Sequence, residues 1–285
     1  MESAFQHEAP EELVRGRLKR LGEGIGKVVY ASEHWVVKRE RSPWEVVALI
    51  VLWRGVRRAE RYLPGGIGAR LLARPSKQIR LLRVMTQGAM RVLPMGVWMT
   101  THVREAWEVY RKRAWRGERL AAEKLAGTDA MPRTVRFPPV RVKVMGWPGE
   151  LTVEEATERV EGTLHQRLAA LAREGRYGEV EEWLERFLEL RQRGWRRGLF
   201  SLDAHLKNFG VSGDRIVLLD AGGLTDRWEE VERRLELEEV IAQPHIQLGL
   251  GDVLGGQPEM ARRFDRRWKE IVSREGVERH WRAAS

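Results

Sequence analysis

Ser201-Leu202-Asp203-Ala204-His205-Leu206-Lys207-Asn208, followed by Ile216-Val217-Leu218-Leu219-Asp220-Ala221-Gly222-Gly223, decides how this chain is read. Two aspartates stand 17 residues apart, an asparagine follows the first by five, and an apolar run of four leads into the second. Such spacing can set one carboxylate, Asp203, on an acceptor hydroxyl and two oxygen ligands, Asn208 and Asp220, on the Mg²⁺ of a nucleoside triphosphate. Mg²⁺ is a hard cation that prefers oxygen and keeps several waters, so one carboxylate and one amide suffice beside phosphates. Asn208 is neutral, which limits the negative charge crowded around the triphosphate. Asp220 closes the apolar run, so a buried strand is expected to fix it, with Gly222-Gly223 permitting a sharp turn behind it. Asp203 either accepts the proton of the hydroxyl or orients it. Singly, each motif reads as well as a turn, where Asp and Asn are common. Their order and spacing together point to phosphoryl chemistry.

Upstream, Leu21-Gly22-Glu23-Gly24-Ile25-Gly26-Lys27-Val28-Val29-Tyr30 precedes His34-Trp35-Val36-Val37-Lys38. β-branched residues around a glycine cluster predict a strand, a tight turn and a second strand. Gly22, Gly24 and Gly26 let backbone N–H groups approach phosphate oxygens that side chains would keep away. Lys38 ends an apolar alternation, where a strand can aim its ammonium at phosphates. A plain hairpin explains the glycines equally. A P-loop is excluded, because Gly26-Lys27 is followed by Val28 and not by Ser or Thr. A lysine so placed needs an acidic partner, and three compete. Glu45 lies in Ser42-Pro43-Trp44-Glu45, a capping box with proline at the first helical position. Glu60 stands among arginines. Glu118 belongs to a helical stretch, Arg116 to Ala126, stopped by Gly127 and Pro132, and is the preferred partner.

Together these segments resemble the protein-kinase-like superfamily, nearest its small bacterial branches: aminoglycoside phosphotransferases, lipopolysaccharide core sugar kinases and HipA-type kinases, which favour Asp-x-His-x-x-Asn. The resemblance covers about 21–38 and 116–223. It implies an α+β, bilobal fold: a small β-rich N-lobe over 1–146, carrying a helical basic insertion at about 42–103, and a mainly helical C-lobe over 147–285. It implies ATP and Mg²⁺ as cofactors, with Gly22, Gly24 and Gly26 at the phosphates and Lys38 on the α/β-phosphates. Glu118 would position Lys38, Asn208 and Asp220 would hold metal, and Asp203 would face the acceptor. Backbone near Met145 and Trp147, after the alternating run Pro138 to Val144, would meet the adenine. The implied activity is transfer of the γ-phosphoryl to a hydroxyl of a sugar, a glycolipid or a protein. The alternative is a pseudokinase-type nucleotide-binding or scaffolding module at an anionic membrane surface. Two departures stand out: the third glycine comes one residue early, and Ser201-Leu202 replace the histidine with Arg or Gly that kinases place before the catalytic aspartate.

Composition agrees with a globular chain. Of 285 residues, 42% are hydrophobic and 32% charged, enough apolar content for a large core. The absence of cysteine excludes disulfides and zinc–thiolate sites. The start, Met1 to Glu8, lacks the basic and apolar regions of a signal peptide, and no apolar run nears the ~20 residues of a membrane span. A cytoplasmic protein is expected, peripheral to the inner membrane if its basic surface recruits it. That surface is local: Arg54 to Arg83 holds nine basic residues against Glu60, most of the net +10. It follows the apolar run Val46 to Trp53, as in a membrane-surface helix or in a packed helix with a solvated basic end. Nucleic acid is disfavoured, since no binding module is recognisable. The seven histidines lack metal-ligand spacing, and His205 reads as structural. The remaining expectations are a helical lead-in over 1–20, helices over about 104–126, 152–174 and 178–193, and a mostly helical end broken near 243–258.

Overall fold

The structure, a computed structural model, describes residues 8–23, 26–46, 48, 94–146 and 148–281. The fold is α+β. Contacts divide the chain into two compact units, one of residues 1–112 with 135–157, the other of 113–134 with 158–285.

The first unit is built on α1 (Glu11–Arg15) and five strands: β1 (Arg17–Glu23), β2 (Lys27–Ala31), β3 (Trp35–Glu40), β4 (Thr134–Val144) and β5 (Glu150–Glu158). The strands close on themselves in the order β1-β2-β3-β5-β4. β2 pairs antiparallel with both β1 and β3, and β1 meets β4 in parallel through Arg17↔Lys143 and Leu18↔Val144. β-branched and aromatic residues suit these pleated, half-buried surfaces. Leu18, Val28, Tyr30, Val37, Phe137, Val142 and Val144 are all buried in one core. Along β4 the buried positions change phase, from Val135 and Phe137 to Val142 and Val144, across Pro138-Pro139.

Two expectations fail in this unit. Among the described residues the helical lead-in over 1–20 amounts to the five residues of α1, and β1 already begins at Arg17. Gly16 ends the helix, and its Cβ position lies 2.2 Å from the Glu12 carbonyl oxygen, where only glycine fits. The stretch from 152 to 158 is strand and not helix. Leu151 and Val153, buried at a spacing of two, decide it over the helix-favouring glutamates that follow them. The turn into β5 uses two left-handed glycines, Gly146 (φ +90°) and Gly149 (φ +91°), closed by Val144 N–H to the Gly149 carbonyl at 2.8 Å.

The capping box at 42–45 is present: Ser42 N–H donates to Glu45 Oε2 at 2.8 Å and Glu45 N–H to Ser42 Oγ at 3.3 Å. Glu45 also accepts both arms of Arg39, at 2.9 and 2.8 Å. Burial alone would raise the Glu45 pKa, but the Arg39 and Ser42 donors outweigh it and hold the carboxyl below its ordinary range. The expectations placed on Gly24, on 49–93, with Glu60 and the basic run, and on Trp147 lie outside the described residues.

The second unit takes the C-terminal part of α2 (Pro94–Lys124), a helix that begins ten residues before the expected 104. It continues through β6 (Gly162–Thr163), α3 (Leu164–Arg173), α4 (Tyr177–Trp195), β7 (Phe200–Ser201), a 3₁₀ turn (Leu206–Asn208), β8 (Phe209–Ser212), β9 (Arg215–Leu218) and β10 (Leu224–Thr225). It ends in α5 (Trp228–Val240), the short α6 (Pro244–Gln247) and α7 (Gly251–Leu254), then α8 (Pro258–Ile271) and α9 (Arg274–Trp281). α3 starts at a capping box of Thr163 and Gln166. α4 buries Val180, Trp183, Leu184, Phe187 and Leu188, a three-and-four spacing that turns one face inward. Phe187 meets Phe209 edge-on at 4.9 Å and stacks with Trp268 of α8 at 6.2 Å, so helices and the β8–β9 hairpin share one core. Among the described residues no helix is long and apolar enough to cross a membrane.

Candidate functional site

Two short pairings in the second unit bring Asp203, Asn208 and Asp220 together. β7 and β10 pair through Ser201↔Leu224, and Leu202 N–H donates to the Gly223 carbonyl at 2.8 Å. The backbone entering Asp203 therefore runs beside the backbone leaving Asp220. β8 and β9 form a hairpin closing at Phe209↔Leu218. Just beyond it the Asn208 carbonyl accepts from Leu219 N–H at 2.8 Å and Asp220 N–H at 3.3 Å.

The loop between these pairings is held by its own polar atoms. The Asp203 carbonyl accepts from Ser201 Oγ at 2.8 Å and from Asn208 Nδ2 at 3.4 Å. With its nitrogen on that carbonyl, Asn208 is left with its amide oxygen to offer a cation. Asp203 Oδ1 accepts from His205 N–H at 3.3 Å, and His205 Nδ1 accepts from Lys207 N–H at 3.2 Å. His205 is thus the cap of the 3₁₀ turn, the structural part expected of it. Gly249, at φ +86°, presses on the ring, and a Cβ there would stand 2.5 Å from His205 Cε1. Burial, then the charge of Lys207, pushes the His205 pKa below its ordinary value, and an unprotonated Nδ1 is what the cap requires.

Around Asp220 the glycines act through closeness. Neither Gly222 nor Gly223 has positive φ. A Cβ on Gly222 would lie 3.1 Å from Asp220 Oδ1, which already accepts Gly222 N–H at 2.9 Å; one on Gly223 would lie 3.2 Å from Asp203 Cβ. α2 closes in on the same segment, since a Cβ on Gly117 would stand 2.0 Å from the Ala221 carbonyl oxygen. The helical turn bearing half-buried Glu118 therefore packs on the residues just after Asp220. Asp203 and Asp220 are exposed and Asn208 is half-buried, so their oxygens are accessible. One carboxylate, Asp220, and one amide, Asn208, are ligands of the kind Mg²⁺ takes beside phosphate oxygens and water, which leaves Asp203 free of that duty. Among the described residues no group of three or more His, Asp or Glu could hold a metal by itself.

Two arginines escaped the sequence reading. Arg116, next to Gly117 on α2, bonds Asp226 at 2.6 Å and Glu230 at 3.2 Å, tying that helix to the start of α5. Arg191 of α4 donates Nη1 to the Ser201 carbonyl at 3.2 Å, two residues before Asp203. Neither has a sequence signal, because Arg116 is defined by partners far along the chain and Arg191 by its burial.

The other expected residues lie in the first unit. Gly22, Val29 and Lys38 occupy one row across β1, β2 and β3, through Gly22↔Val29 and Val29↔Lys38. Directly paired residues share a face, so glycine and lysine lie on the same side of the sheet, and Lys38 is exposed. Gly26 is buried; a Cβ there would meet Tyr110 at 2.9 Å and Trp107 at 3.1 Å, so its glycine is needed for packing on α2. Met145, read as a hinge, stands in the β4–β5 turn, its N–H on the Leu18 carbonyl at 2.8 Å. After Met145 the chain stays in this unit to residue 157.

Comparison with protein-family models, with curated proteins and with solved structures returns no match.

Proposed function

We propose that the chain is an ATP–Mg²⁺-dependent phosphotransferase of bilobal, protein-kinase-like fold that moves the γ-phosphoryl to an alcohol hydroxyl. The observation that carries this reading is the joining of Asp203, Asn208 and Asp220 by two short β-pairings within one loop system. Asn208 and Asp220 would hold Mg²⁺, which neutralises charge on the β/γ-phosphates. Lys38 would hold the α/β-phosphates, and Glu118 would orient Lys38. Asp203 orients the acceptor hydroxyl and takes its proton; the acceptor oxygen forms the new bond to phosphorus as the bond to the ADP oxygen breaks. Positioning and charge neutralisation supply most of the rate. The acceptor is a sugar, glycolipid or protein hydroxyl, and the basic run Arg54 to Arg83 suits an acceptor displayed on an anionic membrane surface. In this reading backbone near Met145 and Trp147 would meet the adenine.

The test is phosphate release and transfer from γ-labelled ATP, with Mg²⁺, by wild type and Asp220→Asn. Loss of turnover in a variant that keeps its fold supports the assignment, and wild-type turnover refutes it. The substitution of Ser201-Leu202 for the usual histidine-bearing pair favours a second reading, a pseudokinase. A Mg²⁺-ATP-dependent rise in thermal midpoint without turnover by wild type would select it.

A further inference from the structure

Beside Ser201, wholly within the second unit, lies a cavity of about 90 Å³. Leu125, Leu190 and Leu224 supply apolar wall, and Arg191, Arg193 and Arg197 supply charge. Two of these arginines are already satisfied: Arg193 pairs with Asp129 at 3.1 Å, and Arg197 donates to the Lys124 carbonyl at 2.9 Å.

Arg191 is different. It is only 6% exposed, and its guanidinium stands 5.0 Å from the Phe200 ring and 5.7–5.8 Å from Trp268 and Trp195. Among the described residues its one hydrogen bond goes to the Ser201 carbonyl, and its buried Nε has no partner. Among the described residues it makes no ion pair. The carboxylate that acts on it most, Glu238, is already engaged by Arg234 at 2.5 Å and by Trp268 Nε1 at 3.2 Å. Burial pulls the Arg191 pKa down, with Glu238 opposing, to about 10, so the group remains charged at neutral pH. A buried charge is normally paired; here the protein provides a cavity instead of a counter-ion.

We propose that this cavity is a binding site for a small organic carboxylate, its anionic end on Arg191 and its alkyl end on the leucine wall. Guanidinium and carboxylate match in plane and charge. The leucines argue against inorganic phosphate, which needs polar partners on every side. A cavity of about 150 Å³ takes benzene, so this smaller one suits a carboxylate of about two or three carbons. Because Arg191 also holds the Ser201 carbonyl, the occupant bears on the loop that carries Asp203. The binding claim stands independently of the phosphotransferase reading.

Titration calorimetry on the full chain, with sodium propionate against sodium chloride and sodium phosphate at matched ionic strength, tests it. Propionate should give a saturable one-site isotherm that the other salts do not. Affinity should fall about tenfold or more in Arg191→Met, which removes the charge-assisted bond. Ala130→Leu fills the cavity from its wall while keeping Arg191, and it should weaken propionate to the same degree whether or not Arg191→Met folds. Propionate heats no larger than those of chloride, binding unchanged in Ala130→Leu, or phosphate binding in place of propionate would each overturn the assignment.

Discussion

Replacing Gly117 with alanine sets two effects of opposite sign against each other. On helix propensity alone the change is favourable, by about 1 kcal/mol in a helix interior. In the folded chain the new Cβ would stand 2.0 Å from the Ala221 carbonyl oxygen, so helix or loop must move by about 1.4 Å to reach an ordinary 3.4 Å contact. Overpacking of this kind costs about 1–3 kcal/mol, and here the obstacle is backbone and not a flexible side chain. With the cost therefore in the upper part of that range, about 2–3 kcal/mol, the expected net result is destabilisation by about 1–2 kcal/mol. Gly178 serves as the control: it lies on exposed helix, and a Cβ there meets nothing within 4 Å. Gly178→Ala should leave stability unchanged or raise it by up to about 1 kcal/mol. Urea unfolding of the two variants, followed by far-ultraviolet circular dichroism, separates them by the sign of the midpoint shift. If Gly117→Ala were as stable as wild type, the close approach of α2 to Ala221 would be wrong, and with it the placement of Glu118 beside the Asp220 segment.

Asp203→Ala should cut phosphoryl transfer by about 10²-fold or more, the scale of a lost proton acceptor, while ATP affinity measured by calorimetry stays near wild type. A large loss of nucleotide binding would move Asp203 to the metal. His205 has a lowered pKa in the folded state, under burial, Lys207 and His165, with Asp203 opposing. The unfolded chain therefore takes up its proton first. The stability that this group contributes is complete above about pH 6.5 and declines as pH falls toward the folded pKa. His205→Asn keeps a capping side chain without the titration, so the difference in urea midpoint between it and wild type should change between pH 7 and pH 5; a constant difference would contradict the neutral cap. Ser42→Ala removes the cap oxygen that receives Glu45 N–H and should lower stability by about 0.5–2 kcal/mol, read from the thermal midpoint. Reversing Arg57, Arg58 and Arg61 to Glu should weaken salt-sensitive binding to anionic vesicles and spare ATP turnover on a soluble acceptor; unchanged vesicle binding would return the basic run to a solvated helix end.

What the sequence by itself determined is the local geometry of Asp203, Asn208 and Asp220. All three lie within 18 residues, so a hairpin and two-residue strands suffice to join them, and apolar runs, turn residues and glycines encode such short pairings directly. The hairpin carrying Lys38 was legible for the same reason, and so was the Ser42–Glu45 capping box. Tertiary structure decided everything that depends on a distant neighbour. Gly26 reads as a phosphate-loop glycine until Trp107 and Tyr110 are seen against it. Gly222-Gly223 do turn the chain, with Leu224 N–H on the Ala221 carbonyl, but the close approach of Asp203 to Gly223 is not legible in the sequence. The glutamates of 150–158 read as helix because the paired strand that buries Leu151 and Val153 is absent from any local window. Arg116 and Arg191 are two among 51 basic residues, and nothing local marks them. Their roles come from burial, which sets the cost of an unpaired charge, and burial is fixed only when segments far apart in the chain pack together.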